Sequence, residues 1–338
     1  MIKIKILLYF ISSLFFIAIK SSFAVEIAPS LAALGNKLAG RFLPVFSSQP
    51  LKASEKEKKI VIIIHGLRRN AQDYFRMISE AAPREQLTQT LIIAPQFLNQ
   101  KDMRQDGYQL PRGLLFWHKS EWKDGQSAYT ESIADKKTSS FAVMDELLLF
   151  LKSRYPNTEK IVFASHSAGS QFLQRYAALT QIDSHPNMHN VKLLFLISDP
   201  SSYLYFDDQR PTSKGHFQAV DSSECPDANN YHYGLDNIIP YGAELSPSKI
   251  RQNYFARDIR YLLGTLDNNP NDPVMDTRCG AMMQGSERLE RGLNYIEYLK
   301  HFGKISPVYL IEGADHDARH AGAKIFHSKI AKRLVFED

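Results

Sequence analysis

Short apolar runs recur along the chain, and each predicts a strand. The run at residues 60–64 shows no polar alternation, so its strand should be buried on both faces of a sheet. Segments with apolar residues at helical spacing separate these runs. Because strands that alternate with helices form mostly parallel sheets, the pattern predicts an α/β fold with helices on both faces of a central sheet. The strands are predicted at residues 60–64, 90–94, 160–164, 191–197, 258–263 and 307–311.

The helical segments differ in how clearly they begin and end. The first should end before Pro83, because proline cannot continue a helix, and the fourth should start at Ser286 as its N-cap. The apolar face of that fourth helix is expected to consist of Leu289, Leu293, Ile296 and Leu299. The helices are predicted at residues 71–81, 141–151, 171–179, 286–300 and 321–336.

Two long segments show no clear period and are expected to be loop-rich inserts, at about residues 96–139 and 201–253. Long loops in compact domains are often functional, so both inserts are expected to wall a substrate pocket. For the large aromatic side chains within them, packing inside the insert is the alternative to substrate contact. The candidates are Trp117, Trp122, Tyr203 and Tyr205.

The N-terminus has the features of a secretory signal peptide. Lys3 and Lys5 are followed by an apolar stretch and by small residues at Ser22 and Ala24 that fit a cleavage site. An uncleaved membrane anchor is the alternative, but the apolar stretch is short for a span of about 20 residues. The chain is therefore divided into a signal peptide at 1–24, an N-terminal segment at 25–55 and one domain at 56–338.

Removal of the signal predicts a protein of the periplasm or the exterior, without an integral membrane segment. The whole chain has a formal net charge of +5, and loss of the three signal lysines leaves the mature chain close to +2. That charge does not indicate a nucleic-acid partner. Residue spacing indicates no metal or other cofactor, and nothing in the sequence indicates an oligomeric state.

Cys225 and Cys279 are the two cysteines of the chain. An even cysteine count in an exported protein favours a disulfide, here closing a loop of 54 residues. Such a bond is expected to stabilise the fold by roughly 3–4 kcal/mol. Two buried free thiols are the alternative, and the His and Asp residues near each cysteine lack the spacing of a metal site.

The strongest chemical signal is Ser165-His166-Ser167-Ala168-Gly169, between a predicted strand and a predicted helix. A tight strand-to-helix turn lifts a nucleophilic hydroxyl above the sheet edge and tolerates only small residues two positions to each side. Gly169 fits this requirement, and Ser165 replaces the usual glycine with another small residue. Ser167 is therefore the candidate nucleophile, with an ordinary helix cap as its alternative role.

A serine nucleophile needs a base, and the base needs an orienting acid. His316 follows the last predicted strand and is the candidate base, whereas His320 and His327 fall later and are expected at the surface. Asp267 is the favoured acid, because it follows the preceding strand after a short glycine-containing turn, which is the usual position of the acid in this arrangement. Asp199, one strand earlier, is the alternative acid.

Backbone amides near the nucleophile are expected to stabilise a developing oxyanion. An early strand ends at His65-Gly66, and the amides of Leu67 and Ala168 are the candidate donors, with Arg68 behind Leu67. The N-terminus of the helix after the elbow adds a favourable dipole. His65 itself is expected to be a structural, hydrogen-bonded residue.

These motifs resemble the α/β-hydrolase superfamily over nearly the whole mature chain, and more narrowly a group of exported, mostly uncharacterised bacterial and fungal serine hydrolases. The resemblance implies an α/β-hydrolase fold with a mostly parallel central sheet, and it supports Asp267 as the acid. Ser165 and Ser170 stand where glycines are expected in this group. The likeness rests on residues 65–70, the elbow with Gln171 and 175–177, residues 263–267 and residues 279–292.

These observations predict an exported serine hydrolase that cleaves a carboxylic ester, or a related acyl bond, of a small-molecule or polymeric substrate. The triad would be Ser167, His316 and Asp267, and the reaction would pass through an acyl-enzyme without a cofactor. A peptidase, amidase or thioesterase with the same triad is one alternative. A catalytically silent hydrolase fold that serves in binding is another, because fold alone does not establish activity.

Overall fold

The computed structural model describes residues 29–34, 38, 40–104, 112–130, 134–213, 215–317, 320 and 322–337, so the predicted signal peptide at 1–24 lies outside the described residues. The strands in the described part of the chain are β1 Ser30–Ala33, β2 Phe42–Ser47, β3 Lys59–Ile64, β4 Thr90–Pro95, β5 Leu98–Asn99, β6 Phe116–Trp117, β7 Ser127–Tyr129, β8 Ala134–Ser139, β9 Lys160–His166, β10 Lys192–Ser198, β11 Gln209–Ser213, β12 His216–Ala219, β13 Asp258–Gly264 and β14 Val308–Ile311. The α-helices there are α1 Ala71–Ala81, α2 Ser140–Arg154, α3 Ala168–Leu179, α4 Pro247–Ala256, α5 Cys279–Met282, α6 Arg288–His301, α7 Ala323–Phe326 and α8 Lys329–Lys332.

Eight strands form the central sheet, in the order β1-β2-β4-β3-β9-β10-β13-β14. Neighbours from β4 to β14 in this order are parallel. At one edge, β1 pairs antiparallel with β2, and β2 pairs antiparallel with β4. The predicted mostly parallel sheet is therefore confirmed, and all six predicted strands are present with bounds that shift by at most two residues.

Side chains of β3 alternate between two apolar cores, one on each face of the sheet. Ile60, Ile62 and Ile64 belong to the core that includes residues of α2, α3 and α6. Val61 and Ile63 belong to the core that includes residues of α1, α7 and α8. All five side chains are fully buried, which explains why the run shows no polar alternation.

The first insert contains more regular structure than the sequence predicts. Within residues 96–139, the strands β5, β6, β7 and β8 form a separate four-stranded sheet. Its first three strands have only two or three residues each. Strands this short cannot display a period, so they could not be recognised within the predicted loop-rich insert.

The second insert also contains regular structure. Within residues 201–253, β11 and β12 form an antiparallel hairpin, and the ten-residue helix α4 begins at Pro247 and extends past the end of the insert to Ala256. The start of α4 carries a readable signal, because Ser246 caps the helix and Pro247 occupies its first turn. The rest of the segment is irregular, as predicted.

Two helix predictions need correction. Helix α6 is capped by Glu287, whose side chain accepts a hydrogen bond from the Glu290 amide, and not by Ser286. Leu293 is 41% exposed, because the buried face of α6 is formed instead by residues that include Tyr295 and Tyr298. The single helix predicted at 321–336 is divided into α7, α8 and a final π-helical turn, with Ser328 capping α8.

The topology places four loops at one edge of the sheet. The loops after β3, β9, β13 and β14 all leave the carboxyl ends of parallel strands, and such ends lie on the same side of a sheet. This edge therefore carries Leu67, Ser167, Asp267 and His316. Among the described residues, no helix has the length and apolar character needed to cross a membrane.

Candidate active site

The sharp turn between β9 and α3 places Ser167 at the sheet edge. Ser167 has φ 58° and ψ −123°, a left-handed conformation that side chains with a Cβ rarely adopt. A Cβ at Gly169 would lie 2.3 Å from the Ile64 carbonyl oxygen, so only glycine allows α3 to approach the end of β3 this closely. The predicted strand–turn–helix geometry is present, and it turns the Ser167 hydroxyl away from the sheet.

The two serines that replace expected glycines form hydrogen bonds that join three elements. Ser165 Oγ donates to the Leu196 carbonyl at 2.8 Å and lies 2.8 Å from Ser170 Oγ. Ser170 Oγ in turn accepts a hydrogen bond from the Ser198 amide at 2.8 Å. These bonds connect β9, α3 and β10 directly beneath the elbow, a role that sequence reasoning did not assign to them.

A continuous hydrogen-bond chain connects the three residues predicted as a triad. Ser167 Oγ lies 2.9 Å from His316 Nε2. The other ring nitrogen, Nδ1, lies 2.8 Å from Asp267 Oδ2. The three side chains are buried, with exposures of 7% for Ser167, 6% for His316 and 3% for Asp267. Loops after β9, β14 and β13 therefore bring together side chains that are distant along the chain.

The alternative acid points to a different partner. Both Asp199 carboxylate oxygens accept from the Gly264 amide, at 3.1 and 3.3 Å, and the described residues include no hydrogen bond between Asp199 and His316. Burial, and then the neighbouring Asp267, raise the pKa of Asp199 well above its ordinary value. The geometry thus favours Asp267 over Asp199 as the partner of His316.

Sequence reasoning missed Arg288, whose guanidinium is fully buried behind the triad candidate Asp267. Its Nη1 donates to Asp267 Oδ1 at 3.0 Å and to Asp272 Oδ2 at 3.2 Å. Its Nε donates to Ser201 Oγ at 3.1 Å. Asp267 therefore accepts a hydrogen bond from His316 with one carboxylate oxygen and from the buried guanidinium of Arg288 with the other. Arginine on the buried side of α6 is the signal that could have revealed this contact.

A second histidine packs behind the base. The rings of His166 and His316 have centroids 4.9 Å apart, and His166 Nδ1 lies 3.1 Å from Tyr74 Oη. Burial is the largest cause that lowers the pKa of His166 well below its ordinary value, followed by His316 and Arg288. His166 is thus a neutral packing partner of His316, which the sequence alone does not indicate.

His65 has the structural role that the sequence predicts. Its Nδ1 lies 2.9 Å from the Gly66 carbonyl oxygen, and its Nε2 accepts a hydrogen bond from the Phe97 amide at 3.0 Å. Burial lowers the pKa of His65 to about 4, so the ring is neutral near neutral pH. His65 therefore anchors the loop that leads to Leu67.

The loop after β3 lies against the nucleophile. A Cβ at Gly66 would be 3.6 Å from the Ser167 Cβ, which shows how closely this backbone approaches. Within the described part of the chain, the amides of Leu67 and Ala168 donate to no protein acceptor. Both residues line one cavity together with Ser167. Their assignment as oxyanion donors stays a prediction.

Two cavities flank Ser167 and share Leu67, Ser167 and Val274 in their walls. The larger has a volume of about 530 Å³ and is also lined by His316, Arg68 and Asn70; we name it the His316 chamber. The smaller has a volume of about 180 Å³; we name it the Ala168 chamber, after the residue following the elbow serine. A third cavity of about 590 Å³ lies beside Asp145 and Tyr241 and touches none of the triad candidates.

The four aromatic side chains proposed as substrate contacts are all completely buried: Trp117, Trp122, Tyr203 and Tyr205. None of them lines either chamber, so packing is their role in the structure. Arg69 pairs with Asp102 at 2.8 Å. The side chain of His320 is 75% exposed, as predicted. His327 is also exposed, as predicted, and its Nε2 lies 3.2 Å from the Met77 carbonyl oxygen.

The two cysteines form the predicted disulfide, Cys225–Cys279, between the second insert and the first residue of α5. Cys279 directly follows Arg278, which lines the Ala168 chamber. The bond therefore fixes the chain next to the wall of that chamber. No group of three or more potential metal ligands occurs among the described residues.

Comparison with known proteins supports the fold. The sequence matches no protein-family model, and no curated protein is similar enough to count as a match. It is similar in structure to LpqC, poly(3-hydroxybutyrate) depolymerase from Bordetella parapertussis, with 20% identity, a TM-score of 0.57, and coverage of 86% of this chain and 84% of that chain. It is also similar to poly(aspartic acid) hydrolase-1 from Sphingomonas sp. KT-1, with 20% identity, a TM-score of 0.61, and coverage of 92% and 100%. The predicted α/β-hydrolase fold is confirmed.

Proposed function

We propose that this protein is a serine hydrolase that cleaves carboxylic esters or related acyl bonds through Ser167, His316 and Asp267. The observation that carries the proposal is the unbroken chain of hydrogen bonds, 2.9 Å from Ser167 to His316 and 2.8 Å from His316 to Asp267. A serine hydroxyl is a weak nucleophile near neutral pH, and an adjacent oriented imidazole is the arrangement that activates it.

In the proposed reaction, Ser167 Oγ attacks the substrate carbonyl while His316 Nε2 takes the hydroxyl proton. His316 then gives this proton to the leaving group as the carbon–oxygen bond of the ester breaks. Water, deprotonated by His316, cleaves the acyl-enzyme and restores Ser167. Asp267 holds the tautomer of His316 and stabilises the imidazolium, and Arg288 holds Asp267 in place through its second oxygen.

Backbone donors complete the proposed site. The amides of Leu67 and Ala168 would bind the oxygen that becomes negative during attack, and the N-terminus of α3 would add its dipole. Both amides donate to no acceptor within the described residues, so they are available to a substrate oxygen. One such donor is typically worth about 10²–10³ in rate.

Esters are the first substrate class to test, because an alcohol leaves more readily than an amine. Amides and thioesters share the same mechanism and remain alternatives. The names of the two similar structures include an ester polymer in one case and an amide polymer in the other. A substrate panel should therefore contain both kinds of bond, in small-molecule and in polymeric form.

We also propose that the protein is exported to the periplasm or the exterior after loss of residues 1–24. The Cys225–Cys279 disulfide supports this location, because disulfides form and persist in oxidising compartments. N-terminal sequencing of the protein recovered from its native cells would give the cleavage position, with residue 25 expected as the first.

The test is hydrolysis of an ester, thioester and amide panel by the purified protein and by Ser167→Ala. We expect turnover of at least one class, with a loss of at least about 10³-fold in kcat in the variant. Ser153→Ala, an exposed serine on α2, is the matched control and should keep full activity. Equal turnover by Ser167→Ala, or no turnover of any class by folded protein, would contradict the proposal.

A further inference from the structure

The two chambers beside Ser167 differ in what they offer a substrate. His316 lines only the larger chamber, and Ala168 lines only the smaller one. In the proposed reaction the leaving-group oxygen must come within hydrogen-bond reach of His316 Nε2. The leaving group therefore occupies the His316 chamber, and the acyl group extends into the Ala168 chamber. This assignment rests on the proposed function.

The Ala168 chamber presents a group of hydrogen-bond donors. The residues that line it include two cations, Lys123 and Arg278, and three residues with polar side chains, Gln171, Ser120 and Ser201. Gln171 is 4% exposed, and within the described residues its Nε2 donates to no acceptor. Arg278 uses Nε and Nη2 for Asp276 and His232, and no hydrogen bond of its Nη1 occurs in the described structure.

The acidic groups around this chamber already have partners. Asp124 is bound by Lys123 and Arg175, at 2.8 and 2.7 Å. Asp276 is bound by Arg278 at 2.6 Å and by the Tyr233 hydroxyl at 2.7 Å. Each carboxylate is therefore paired with a cation, which reduces its repulsion of an anion in the chamber.

The cluster has a net positive charge. Lys123, Arg175 and Arg278 contribute three cations, and Asp124 and Asp276 contribute two anions. Although burial raises the pKa of Asp124, the opposing effect of Lys123 and its other cationic neighbours lowers this pKa to about 2, so the group is ionised near neutral pH. Burial lowers the pKa of His232 well below its ordinary value, so this ring adds no charge. One positive charge in this cluster is thus uncompensated.

We propose that the Ala168 chamber binds a carboxylate carried by the acyl group of the substrate, close to the scissile carbonyl. Arg278 and Lys123 supply the charge, and Gln171 supplies a neutral donor. The chamber has a volume of about 180 Å³, which suits a short acyl group. The substrate class is a half-ester of a small dicarboxylic acid, or a polymer whose units present such a group.

A pair of isosteric ethyl esters tests the charge preference. Monoethyl succinate carries the carboxylate on its acyl side, and ethyl 4-oxopentanoate replaces it with a neutral ketone. We expect a kcat/KM ratio of at least about ten in favour of the succinate ester, measured by acid release at constant pH, because charge-assisted hydrogen bonds are worth more than 1.4 kcal/mol. A ratio at or below one overturns the inference.

Variants of Arg278 test whether this residue causes the preference for the succinate ester. Arg278→Gln should lower the ratio several-fold, whereas Arg278→Lys should retain most of it, because the positive charge is preserved. Lys300→Gln removes a cation that pairs with Glu297 on the exposed side of α6, and it should leave the ratio unchanged. The inference is also overturned if Arg278→Gln and Lys300→Gln give the same ratio.

Failure of this inference can be told apart from failure of the proposed function. Hydrolysis of the neutral ester that depends on Ser167, together with no preference for the succinate ester, rejects the carboxylate subsite alone. A second readout does not need turnover: calorimetry with Ser167→Ala should show binding of monoethyl succinate and weaker binding of ethyl 4-oxopentanoate. If neither ester binds, or both bind equally, the subsite is rejected.

Discussion

Ser167 is held in a left-handed backbone conformation, which costs on the order of 1–3 kcal/mol for a residue with a Cβ. All residues of α3 are buried, and this burial offsets the cost. The Ser167 amide also donates to the Ser198 carbonyl at 3.0 Å. The surrounding contacts thus hold the turn in this conformation, and the Ser167 hydroxyl points at His316 before any substrate binds.

Separate substitution of the two candidate acids by asparagine distinguishes their roles. Asp267→Asn should lower kcat on the order of 10⁴-fold, because the amide cannot hold the His316 tautomer or stabilise the imidazolium. Asp199→Asn should change kcat by less than about ten-fold, because the protonated form of Asp199 is favoured by burial and asparagine resembles it. Steady-state kinetics on the best ester of the panel measures both effects.

Circular dichroism of both variants serves as the control for folding. The assignment of the acid is wrong if Asp199→Asn abolishes turnover while Asp267→Asn retains it. A comparable loss in both variants would show that the two carboxyl groups act together, against the separate hydrogen bonds seen here.

Some residues of the site can be predicted from sequence, and others cannot. Ser167, Asp267 and His316 each follow a recognisable strand, so their meeting at one sheet edge follows from the topology. Arg288 and His166 act through burial and contact, which no spacing rule gives. The serines at 165 and 170 were interpreted as departures from a glycine pattern, although their hydroxyls bond to each other.

At the level of elements, the strands of the central sheet were predicted, and the short strands inside the first insert were not. Strands β3, β4 and β9 inside the central sheet are buried on both faces, so they are continuous apolar runs. The small strands β5, β6 and β7 have two or three residues each, too few for any period. The buried face of α6 was predicted only in part, because it contains two arginines and two tyrosines beside the predicted Ile296 and Leu299.

The hydroxyl network under the elbow gives a prediction for stability. Ser170→Ala removes the acceptor of the Ser198 amide, which is buried in the β10–α3 contact. We expect the free energy of unfolding to fall by about 1–3 kcal/mol, the cost of a buried donor without a partner. Urea unfolding at neutral pH measures this change.

The matched control for that measurement is Ser153→Ala on α2. Ser153 donates to the Phe150 carbonyl at the exposed surface, and its loss should change stability by less than about 0.5 kcal/mol. The account of the network fails if the two variants have the same stability.

At the level of the whole molecule, the parallel sheet assembles the site from loops that are far apart in the sequence. The β9 strand lies between β3 and β10, and β13 and β14 follow at one side, so the elbow has the Leu67 loop on one flank and the Asp267 and His316 loops on the other. The chambers lie at this edge, and the disulfide holds the chain next to one of them.

Removal of the disulfide tests its contribution to the whole fold. The double variant Cys225→Ala, Cys279→Ala should lose roughly 4 kcal/mol of unfolding free energy, because the bond closes a loop with a sequence separation of 54 residues. Denaturant unfolding of the variant should match that of the reduced wild-type protein. A loss below about 1 kcal/mol would mean that the unfolded chain gains little freedom from reduction.

Covalent labelling with a fluorophosphonate probe, followed by peptide mapping, tests whether Ser167 is an activated nucleophile. The probe phosphonylates an activated serine and needs no knowledge of the substrate. We predict a single adduct on the peptide that contains Ser167, absent in Ser167→Ala and formed much more slowly in His316→Ala. Folded wild-type protein that remains unlabelled, or an adduct on another residue that persists in Ser167→Ala, would contradict the account.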